Sequence, residues 1–446
     1  MRRKSVDSTD TRIKTAKKAN LASINREIRW DKLDNTANVF PVIAGESMSN
    51  VYRISITLTE LIQPEALQDA LEIVLPKFDG FNLRLRQGLF WYYFEENGKP
   101  APKVKEENTF PCRFIHQNRN NSYMFRVTYY RYRINLEVFH VLTDGMGGIN
   151  FLKELTYQYL RLVHPELKGQ KGDALNSSTS LNREDSFLKN YRKSSARGYK
   201  TKKAYLVKGE QLNPGEFGLM HGYMQIPELK QVCRRYKASI NEYLVAVFVW
   251  SVYRECMHGM PSDKPVRVAV PVNLRPYFNS ITTKNFFVMV SAEFHVQKEE
   301  YSFDEVLQIV QESLKQQINK ENLENLFSYN VSNEKVLVAR AVPLLLKNIA
   351  IRVIYTQSAL ANTTTITNIG NISVDEAYQP YVEMFHACLA MSKGQHIKGT
   401  ICSYQNTLVF SFSYDLADPS IQRGFFRKVA EDGVNVEIES NGVHYE

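Results

Sequence analysis

Residues 134–162 read INLEVFHVLTDGMGGINFLKELTYQYLRL, and this stretch decides the fold of the chain. From Ile134 to Val138 apolar side chains occupy every second position, and His140 continues that row, which is the period of a β-strand. A glycine-rich turn follows, and from Phe151 to Leu162 the apolar positions recur at helical spacing. The pattern therefore predicts a strand that delivers an inward-facing histidine to a turn and a helix.

The sequence on both sides predicts a mixed α/β chain. Residues 51–58 alternate between apolar and polar side chains, which predicts a half-buried strand. Pro64 stands where a first helical residue belongs, and an apolar stripe follows it up to Pro76. The same criteria predict strands around residues 81–97, a hairpin over 123–141, helices capped by Ser239 and by Ser302, a strand over 266–276, and strands over 363–374 and 397–413.

Composition and charge limit the classes of function that the chain can have. The chain has 446 residues, 43% of them hydrophobic, so it can bury large cores. Of the formal net charge of +9, residues 1–30 supply +6, from nine Lys or Arg and three Asp or Glu, which leaves +3 for the rest. A nucleic-acid-binding protein needs its cations on a folded face. We therefore predict no nucleic-acid partner, and a disordered basic tail that lacks the apolar core of a secretory signal.

The cysteines and the apolar runs indicate a cytoplasmic protein. The cysteines are odd in number and widely scattered, which fits free thiols in a reducing compartment better than a disulfide framework or a zinc site. They are Cys112, Cys233, Cys256, Cys388 and Cys402. The apolar run Tyr243–Tyr253 is far shorter than the roughly 20 residues that a membrane helix needs, so we predict a core helix there and no membrane span.

A polar segment divides the chain. Residues 168–203 are rich in Gly, Ser, Asn and Lys and contain few apolar side chains, which is typical of a linker. We therefore predict a basic tail over residues 1–30, an N-terminal subdomain over 31–167, a crossover over 168–205 and a C-terminal subdomain over 206–446.

His140, Asp144 and Gly145 form an HxxxDG pattern, in the sequence HVLTDG. In this setting the pattern resembles the signature of the CoA-dependent acyltransferase superfamily. Its members include chloramphenicol acetyltransferase, alcohol acetyltransferases and the condensation domains of nonribosomal peptide synthetases. On residue types alone, a packed histidine with Asp144 as a helix cap is the alternative. The strand, turn and helix around the pattern favour a functional site.

Three further stretches support the resemblance. VAVPVNLRP, residues 268–276, resembles the strand that carries an arginine in the second half of such enzymes, which gives that role to Arg275. TNIG, Thr367–Gly370, resembles a turn of the alcohol acetyltransferase branch, and LDNTANVFP, residues 33–41, resembles the opening of that branch. Condensation domains commonly show two adjacent histidines, whereas Phe139 precedes the histidine here, which favours the alcohol acetyltransferase branch.

The resemblance implies an α/β fold of two subdomains, each like chloramphenicol acetyltransferase, with mixed sheets and helices packed on one side. An active-site tunnel would run between the subdomains, with His140 midway along it. The implied activity is that of an O-acyltransferase, which moves an acyl group from acyl-CoA, with acetyl-CoA as the expected donor, to a small-molecule alcohol or amine. Acyl-CoA is then a co-substrate, and no bound cofactor or metal is expected.

The residue types suit this chemistry. Attack on a thioester requires removal of a proton, and we assign His140 as general base, a role worth roughly 10²–10⁴-fold. No Ser or Cys nucleophile with a partnered histidine stands out, so direct attack in a ternary complex is expected. The backbone N–H groups of Gly145–Gly148 and the side chains of Thr367 and Asn368 are candidate donors to the oxyanion.

The resemblance implies a structural role for Asp144 and Arg275. The carboxylate faces away from the substrate, pairs with the arginine and orients the loop. A bidentate Arg–carboxylate pair fixes geometry better than a lysine does. An exposed cation at the end of a strand is the alternative for Arg275.

Two other functions remain open. The protein could form an ester or an amide from a carrier-protein thioester, as condensation domains do, or it could be a non-catalytic binding module with the same fold. His386 and His396 lack Cys or acidic partners at metal-ligand spacing, so the sequence predicts no metal site from them.

Overall fold

The computed structural model describes residues 30–173, 184–193, 202–335 and 342–442. The predicted basic tail lies outside these residues, apart from Trp30, as do residues 174–183 and 194–201 of the predicted crossover. Helices and strands are mixed along the whole described chain, as the α/β prediction requires.

The strands of the described residues form three sheets. In chain order they are β1 (Trp30–Lys32), β2 (Val51–Leu58), β3 (Leu83–Gln87), β4 (Tyr92–Glu96), β5 (Lys105–Glu106), β6 (Phe125–Tyr130), β7 (Arg133–Phe139), β8 (Gly218–Gln225), β9 (Val266–Asn273), β10 (Phe287–Phe294), β11 (Thr364–Ile372), β12 (Val382–Leu389), β13 (Ile397–Tyr404), β14 (Thr407–Tyr414) and β15 (Val436–Ser440).

The helices pack on these sheets. In chain order they are α1 (Phe40–Ile43), α2 (Pro64–Val74), α3 (Gly145–Val163), α4 (Ser186–Asn190), α5 (Ile226–Arg235), α6 (Ile240–Ser251), α7 (Arg275–Phe278), α8 (Phe303–Gln317), α9 (Lys320–Lys335), α10 (Leu344–Ala359) and α11 (Ser420–Glu431). Both α6 and α8 begin with the predicted capping boxes, at Ser239 and at Ser302. Within the described ranges, no helix combines the length and the apolar character needed to cross a bilayer.

Two larger sheets build the two halves of the molecule. A five-stranded sheet has the order β12-β2-β7-β6-β5, and a seven-stranded sheet has the order β10-β9-β11-β13-β14-β8-β15. Strand β12 comes from the C-terminal part of the chain, yet it pairs antiparallel with β2, with His386 opposite Ser55. This strand ties the two halves together, and no pattern in the sequence predicts the exchange.

The two halves have separate hydrophobic cores. The first core is built mainly from β2, α2, β7 and α3 and also receives Phe385 of β12. The second core is built mainly from α6, β9, β10, α8 and α11. Phe187 of α4, which lies inside the predicted crossover, packs into the second core. The fold is therefore an α/β fold of two subdomains, as predicted.

The prediction of a half-buried strand over residues 51–58 was wrong, because β2 is buried on both faces. Its polar face carries Arg53 and Ser55, which are 8% and 3% exposed. Arg53 donates to Glu137 on the neighbouring strand β7 at 2.9 Å, and Ser55 donates to Asn135 at 2.7 Å. Buried polar groups are tolerated when they are paired in this way. Alternation alone could not distinguish this arrangement from a solvated face.

Candidate active site

His140 lies between strand β7, which ends at Phe139, and helix α3, which begins at Gly145. Its backbone N–H donates to the carbonyl oxygen of Asn50 at 3.0 Å, which fixes the end of the strand. The residue is only partly buried, whereas the β7 side chains from Ile134 to Phe139 are fully buried. The residue therefore stands at the edge of the first core and not in its interior.

Aromatic rings from both halves of the chain surround the imidazole. Phe40 of α1 stacks on it with 4.8 Å between ring centroids. Tyr52 of β2 meets it edge-on at 5.1 Å, and Phe287 of β10 lies at 5.6 Å. Because Phe287 belongs to the second half, the environment of His140 is completed only where the two halves meet.

The Nδ1 atom of His140 has a polar partner in the second half. It lies 3.0 Å from Oδ1 of Asn285. The side chain of Asn285 in turn donates from Nδ2 to Oδ2 of Asp34 at 3.0 Å. Oδ1 of Asp34 accepts a hydrogen bond from the backbone N–H of Ala37 at 2.7 Å. A continuous hydrogen-bonded chain therefore leads from the imidazole to a carboxyl group.

The enclosure of the site changes its proton affinities. Burial lowers the pKa of His140 below its ordinary value of 6.5, against opposing contributions from its own backbone carbonyl, the charge of Asp144 and the bond to Asn285. Burial raises the pKa of Asp34 to about 7, although its hydrogen bonds from Asn285 and Ala37 oppose the change. His140 is therefore neutral at pH 7, the state that a general base requires.

Asp144 and Arg275 form a bidentate ion pair. Nη1 of Arg275 lies 2.8 Å from Oδ2 of Asp144, and Nη2 lies 3.1 Å from Oδ1. The guanidinium also donates to the backbone carbonyls of Thr282 and Lys284 at 2.9 and 2.8 Å. Arg275 begins the short helix α7, and its side chain is 13% exposed, so it is not an exposed cation at a strand end.

The pair connects the histidine loop of the first half to the second half. Asp144 is the N-cap of α3, where its side chain accepts a hydrogen bond from the Gly147 N–H. Its Oδ2 also accepts from the Phe286 N–H of the second half at 3.2 Å. Asp144 thus caps a helix and at the same time bridges two halves, which combines the two roles that the sequence left open.

The structure narrows the set of oxyanion donors predicted from the turn. The N–H of Gly147 donates to Oδ1 of Asp144, and that of Gly148 donates to the carbonyl oxygen of Asp144. Because these two N–H groups already donate within the start of the helix, the prediction that they serve as oxyanion donors was wrong. Gly145 and Met146 stand in the first turn of α3, where backbone N–H groups have no partner within the helix and the dipole favours an anion.

Steric crowding explains two of the three glycines. A Cβ atom at Gly147 would lie 1.9 Å from Oγ1 of Thr143, and one at Gly148 would lie 2.8 Å from the Tyr52 hydroxyl. At Gly145 an added Cβ meets no atom within 4 Å. Close packing therefore requires a glycine at 147 and at 148, whereas position 145 faces open space.

Thr367 and Asn368 stand apart from this group. Both lie on β11, where Asn368 is exposed and Thr367 is partly buried. Asn368 accepts a hydrogen bond from the Gly370 N–H at 2.8 Å and contacts Asn241, so its side chain shapes the irregularity at which β11 shifts register against β13. Among the contacts of the described residues, none joins either side chain to His140, and their part in the chemistry stays a prediction.

The two other histidines weighed above have protein partners. His386 is buried beside Tyr223, with its Nε2 2.9 Å from the tyrosine hydroxyl. His396 lies 3.0 Å from Asp415. In the part of the chain that the structure describes, no group of three or more His, Cys, Asp and Glu side chains is placed to hold a metal ion.

Sequence reasoning missed four residues beside the histidine ring, namely Phe40, Tyr52, Asn285 and Phe287. Phe40 lies within the stretch 33–41 that resembles a family opening, but its contact with His140 carries no local signal. Tyr52 was assigned only to the face of a strand. Asn285 was not singled out at all, because it approaches from the other half of the chain. The same stretch 33–41 also holds Asp34, the anchor of the hydrogen-bonded chain.

Comparison with known proteins adds information on the fold. No protein-family model matches the chain, and no curated protein sequence matches it. Among solved structures, by contrast, 208 chains match.

Three of these structures illustrate the match. The trichothecene 15-O-acetyltransferase of Fusarium sporotrichioides has a TM-score of 0.56 and 10% identity over 90% of this chain and 94% of that chain. The TRI101 protein of the same fungus, solved with coenzyme A and T-2, has a TM-score of 0.57 and 10% identity over 92% and 99%. The condensation domain of the Monacolin K polyketide synthase MokA has a TM-score of 0.56 and 10% identity over 91% and 97%. The chain therefore shares the fold of these proteins over nearly its full length.

Proposed function

We propose that the protein is an O-acyltransferase that moves an acyl group, with acetyl as the expected one, from a CoA thioester to an alcohol. His140 is the general base, and the acceptor attacks the thioester directly in a ternary complex. Asp144 and Arg275 hold the histidine loop in place. Acyl-CoA is a co-substrate of this reaction, and a small-molecule amine is a second possible acceptor class.

The observation that carries the proposal is the setting of the imidazole. A neutral, partly accessible His140 stands where the two halves meet, ringed by aromatic side chains and followed by a helix N-terminus that faces open space at Gly145. The fold shared with a trichothecene acetyltransferase and with a protein solved with coenzyme A supports the same activity.

The reaction balances with the groups of this chain. The acceptor hydroxyl gives its proton to the unprotonated ring nitrogen of His140 while its oxygen attacks the thioester carbonyl carbon. The carbonyl π electrons move to oxygen, and the N–H groups at the start of α3, at Gly145 and Met146, stabilise that oxyanion. When the tetrahedral intermediate collapses, the carbon–sulfur bond breaks and the leaving thiolate takes the proton from the imidazolium. The products are an ester and a free thiol.

The donor decides between two reactions of the same site. Condensation domains share the fold as closely as the acetyltransferases do, so a carrier-protein thioester is the competing donor. Phe139 stands where condensation domains commonly have a second histidine, which supports the CoA reaction. All five cysteines lie in the described chain as free thiols, which supports a cytoplasmic location, where CoA thioesters are available.

The test follows the release of free thiol. The full-length protein is incubated with acetyl-CoA and a panel of primary alcohols and amines, and the products are identified by mass spectrometry. Protein alone serves as the blank, because its own thiols react with the detection reagent. An ester formed at a rate that depends on His140 supports the proposal.

Two outcomes would contradict it. Turnover only with an acyl group loaded on a carrier protein would assign the site to condensation chemistry. Stoichiometric binding of acyl-CoA without turnover for any acceptor in the panel would assign the fold to a binding module.

A further inference from the structure

A buried hydrogen-bonded chain lies behind the His140 ring, and none of the proposed steps of acyl transfer uses it. Asn285 is the middle member, with its Oδ1 3.0 Å from Nδ1 of His140 and its Nδ2 3.0 Å from Oδ2 of Asp34. The backbone N–H of Asn285 donates to the same Asp34 oxygen at 3.3 Å. Asp34 and Asn285 are each 1% exposed, so water does not compete for these bonds.

The carboxyl group fixes the direction of every bond in this chain. Both oxygens of Asp34 face N–H donors, Oδ1 that of Ala37 and Oδ2 those of Asn285. Because the pKa of Asp34 is raised to about 7, the carboxyl is mostly ionised at pH 7.5 and can then only accept. In that state the Asn285 side chain must turn its nitrogen towards Asp34 and its oxygen towards His140. An amide oxygen can only accept, so Nδ1 of His140 must be the donor. The neutral ring then carries its proton on Nδ1 and a lone pair on Nε2.

This distribution of the proton is not the one that histidine adopts unaided. In free neutral histidine the tautomer with the proton on Nε2 is the more populated one. A base that accepts a proton at Nε2, the ring nitrogen farther from the main chain, therefore needs a partner that holds the other nitrogen in the donor state. In a serine-protease triad, loss of such a partner costs about 10⁴-fold in kcat because the wrong tautomer forms.

We infer that Asn285, oriented by Asp34, is a positioning residue that keeps the proton of His140 on Nδ1 and leaves Nε2 free to take the proton of the acceptor. This inference deepens the proposed function and rests on it for its consequence in catalysis. The state of the ring itself can be measured without any substrate.

The arrangement also makes the base depend on the docking of the two halves. His140 belongs to the first half, and Asn285 precedes β10 of the second half. The neighbouring Lys284 donates to Asp31 and to the Lys32 carbonyl, both at 2.9 Å, and so fastens this segment to the stretch that carries Asp34. The tautomer is thus set by residues that only the complete fold brings together.

The experiment reads the tautomer directly. Full-length protein is labelled with ¹⁵N at the histidine rings, and two-bond ¹H–¹⁵N correlation spectra are recorded at pH 7.5. The His140 signals are identified by their loss in His140→Ala. The inference expects Nδ1 of His140 to show the shift of a protonated nitrogen and Nε2 that of an unprotonated one.

Two substitutions and one matched control test the cause. Asn285→Ala removes the side-chain partner of Nδ1, and we expect part of the proton population to move to Nε2, because the backbone carbonyl of His140 is then the remaining acceptor beside the ring. Asp34→Asn keeps the shape but removes an acceptor, which lets the Asn285 amide turn over, so the same shift is expected. Asp185→Asn is the control, because this carboxylate acts on Asp34 only through its charge and bonds elsewhere, to Leu188. Circular dichroism and thermal melting establish that each variant is folded.

The outcomes separate this inference from the proposed function. A wild-type His140 with its proton on Nε2, or a folded Asn285→Ala protein with an unchanged ring, would overturn the inference even if thioester turnover is found. A ring in the expected state in a protein that turns over no thioester would leave the inference intact and refute the function. Where turnover is measurable, a positioning role lowers kcat of Asn285→Ala by up to roughly 10²–10⁴-fold, the whole contribution of a placed base, with KM nearly unchanged.

Discussion

Replacement of Arg275 by alanine is the sharpest test of how the histidine loop is held. The guanidinium makes two bonds to Asp144, two to backbone carbonyls and one to the side chain of Asn273. Asp144, which is 7% exposed in the wild-type protein, keeps in the variant only its bonds from the backbone N–H groups of Gly147 and Phe286. Removing one partner of a buried ion pair costs about 3–5 kcal/mol, because an uncompensated charge stays inside the protein.

This cost can be measured as a change in the thermal midpoint. At about 2 °C per kcal/mol for a protein of this size, Arg275→Ala should lower the midpoint by roughly 6–10 °C. Arg275→Lys restores the charge but reaches a single carboxylate oxygen, so it should recover part of the stability while the loop stays misplaced. Arg427→Ala, at an exposed position on α11, is the matched control.

The activity assay separates the two roles of the pair. Because a displacement of about 1 Å can cost roughly 10²-fold in rate, both Arg275 variants should lose activity beyond what their unfolded fraction explains. An Arg275→Ala protein that melts within about 1 °C of the wild-type protein, or about 0.5 kcal/mol, and retains its rate of thiol release would show that the pair does not hold the loop.

Three further predictions follow from the same contacts. Gly148→Ala should destabilise the protein by about 1–3 kcal/mol, because the added methyl group overpacks against Tyr52. Gly145→Ala should leave the melting temperature almost unchanged and lower kcat/KM. Equal melting temperatures for the two variants would contradict the packing argument. Burial lowers the pKa of His140 below 6.5, so kcat/KM should be flat above pH 7 and should fall tenfold per pH unit only below the lowered pKa. An inflection of kcat/KM above pH 7 would exclude His140 as the titrating base. Burial also lowers the pKa of His221 to about 3 and that of His386 well below 6.5, so as the pH falls below 6.5 the unfolded chain takes up protons that the folded chain does not. Stability should then decline by up to about 1.4 kcal/mol per pH unit for each histidine, and a melting curve whose acid dependence is unchanged in His221→Gln would contradict this.

Local sequence patterns were sufficient to predict the strand, the turn and the helix around His140. The two-residue period up to the histidine and the helical spacing after it appear in the structure as β7 and α3. Asp144 and Arg275 were brought together only through a resemblance, because nothing in their spacing of 131 residues predicts a contact. The structure places the two side chains in direct contact.

Long-range pairing explains what the sequence could not predict. Strand β12 joins β2 across more than 300 residues, and its alternation gives no hint of which sheet it enters. The polar side chains on one face of β2 predict a solvated face, because the sequence does not show that Glu137 pairs with Arg53. The contact of Asn285 with His140 could not be predicted either, because an asparagine beside a lysine near the start of a strand carries no periodic or motif signal.

The most direct measurement of the central claim is the ratio of kcat/KM between wild-type protein and His140→Ala, with the alcohol found in the acceptor panel. His295→Ala, at an exposed histidine, serves as the control. We expect a loss of roughly 10²–10⁴-fold for His140→Ala, with an unchanged fold by circular dichroism and full activity of the control. A His140→Ala protein whose kcat/KM lies within about twofold of wild type, where loss of a general base costs at least roughly 10²-fold, would exclude His140 as the base.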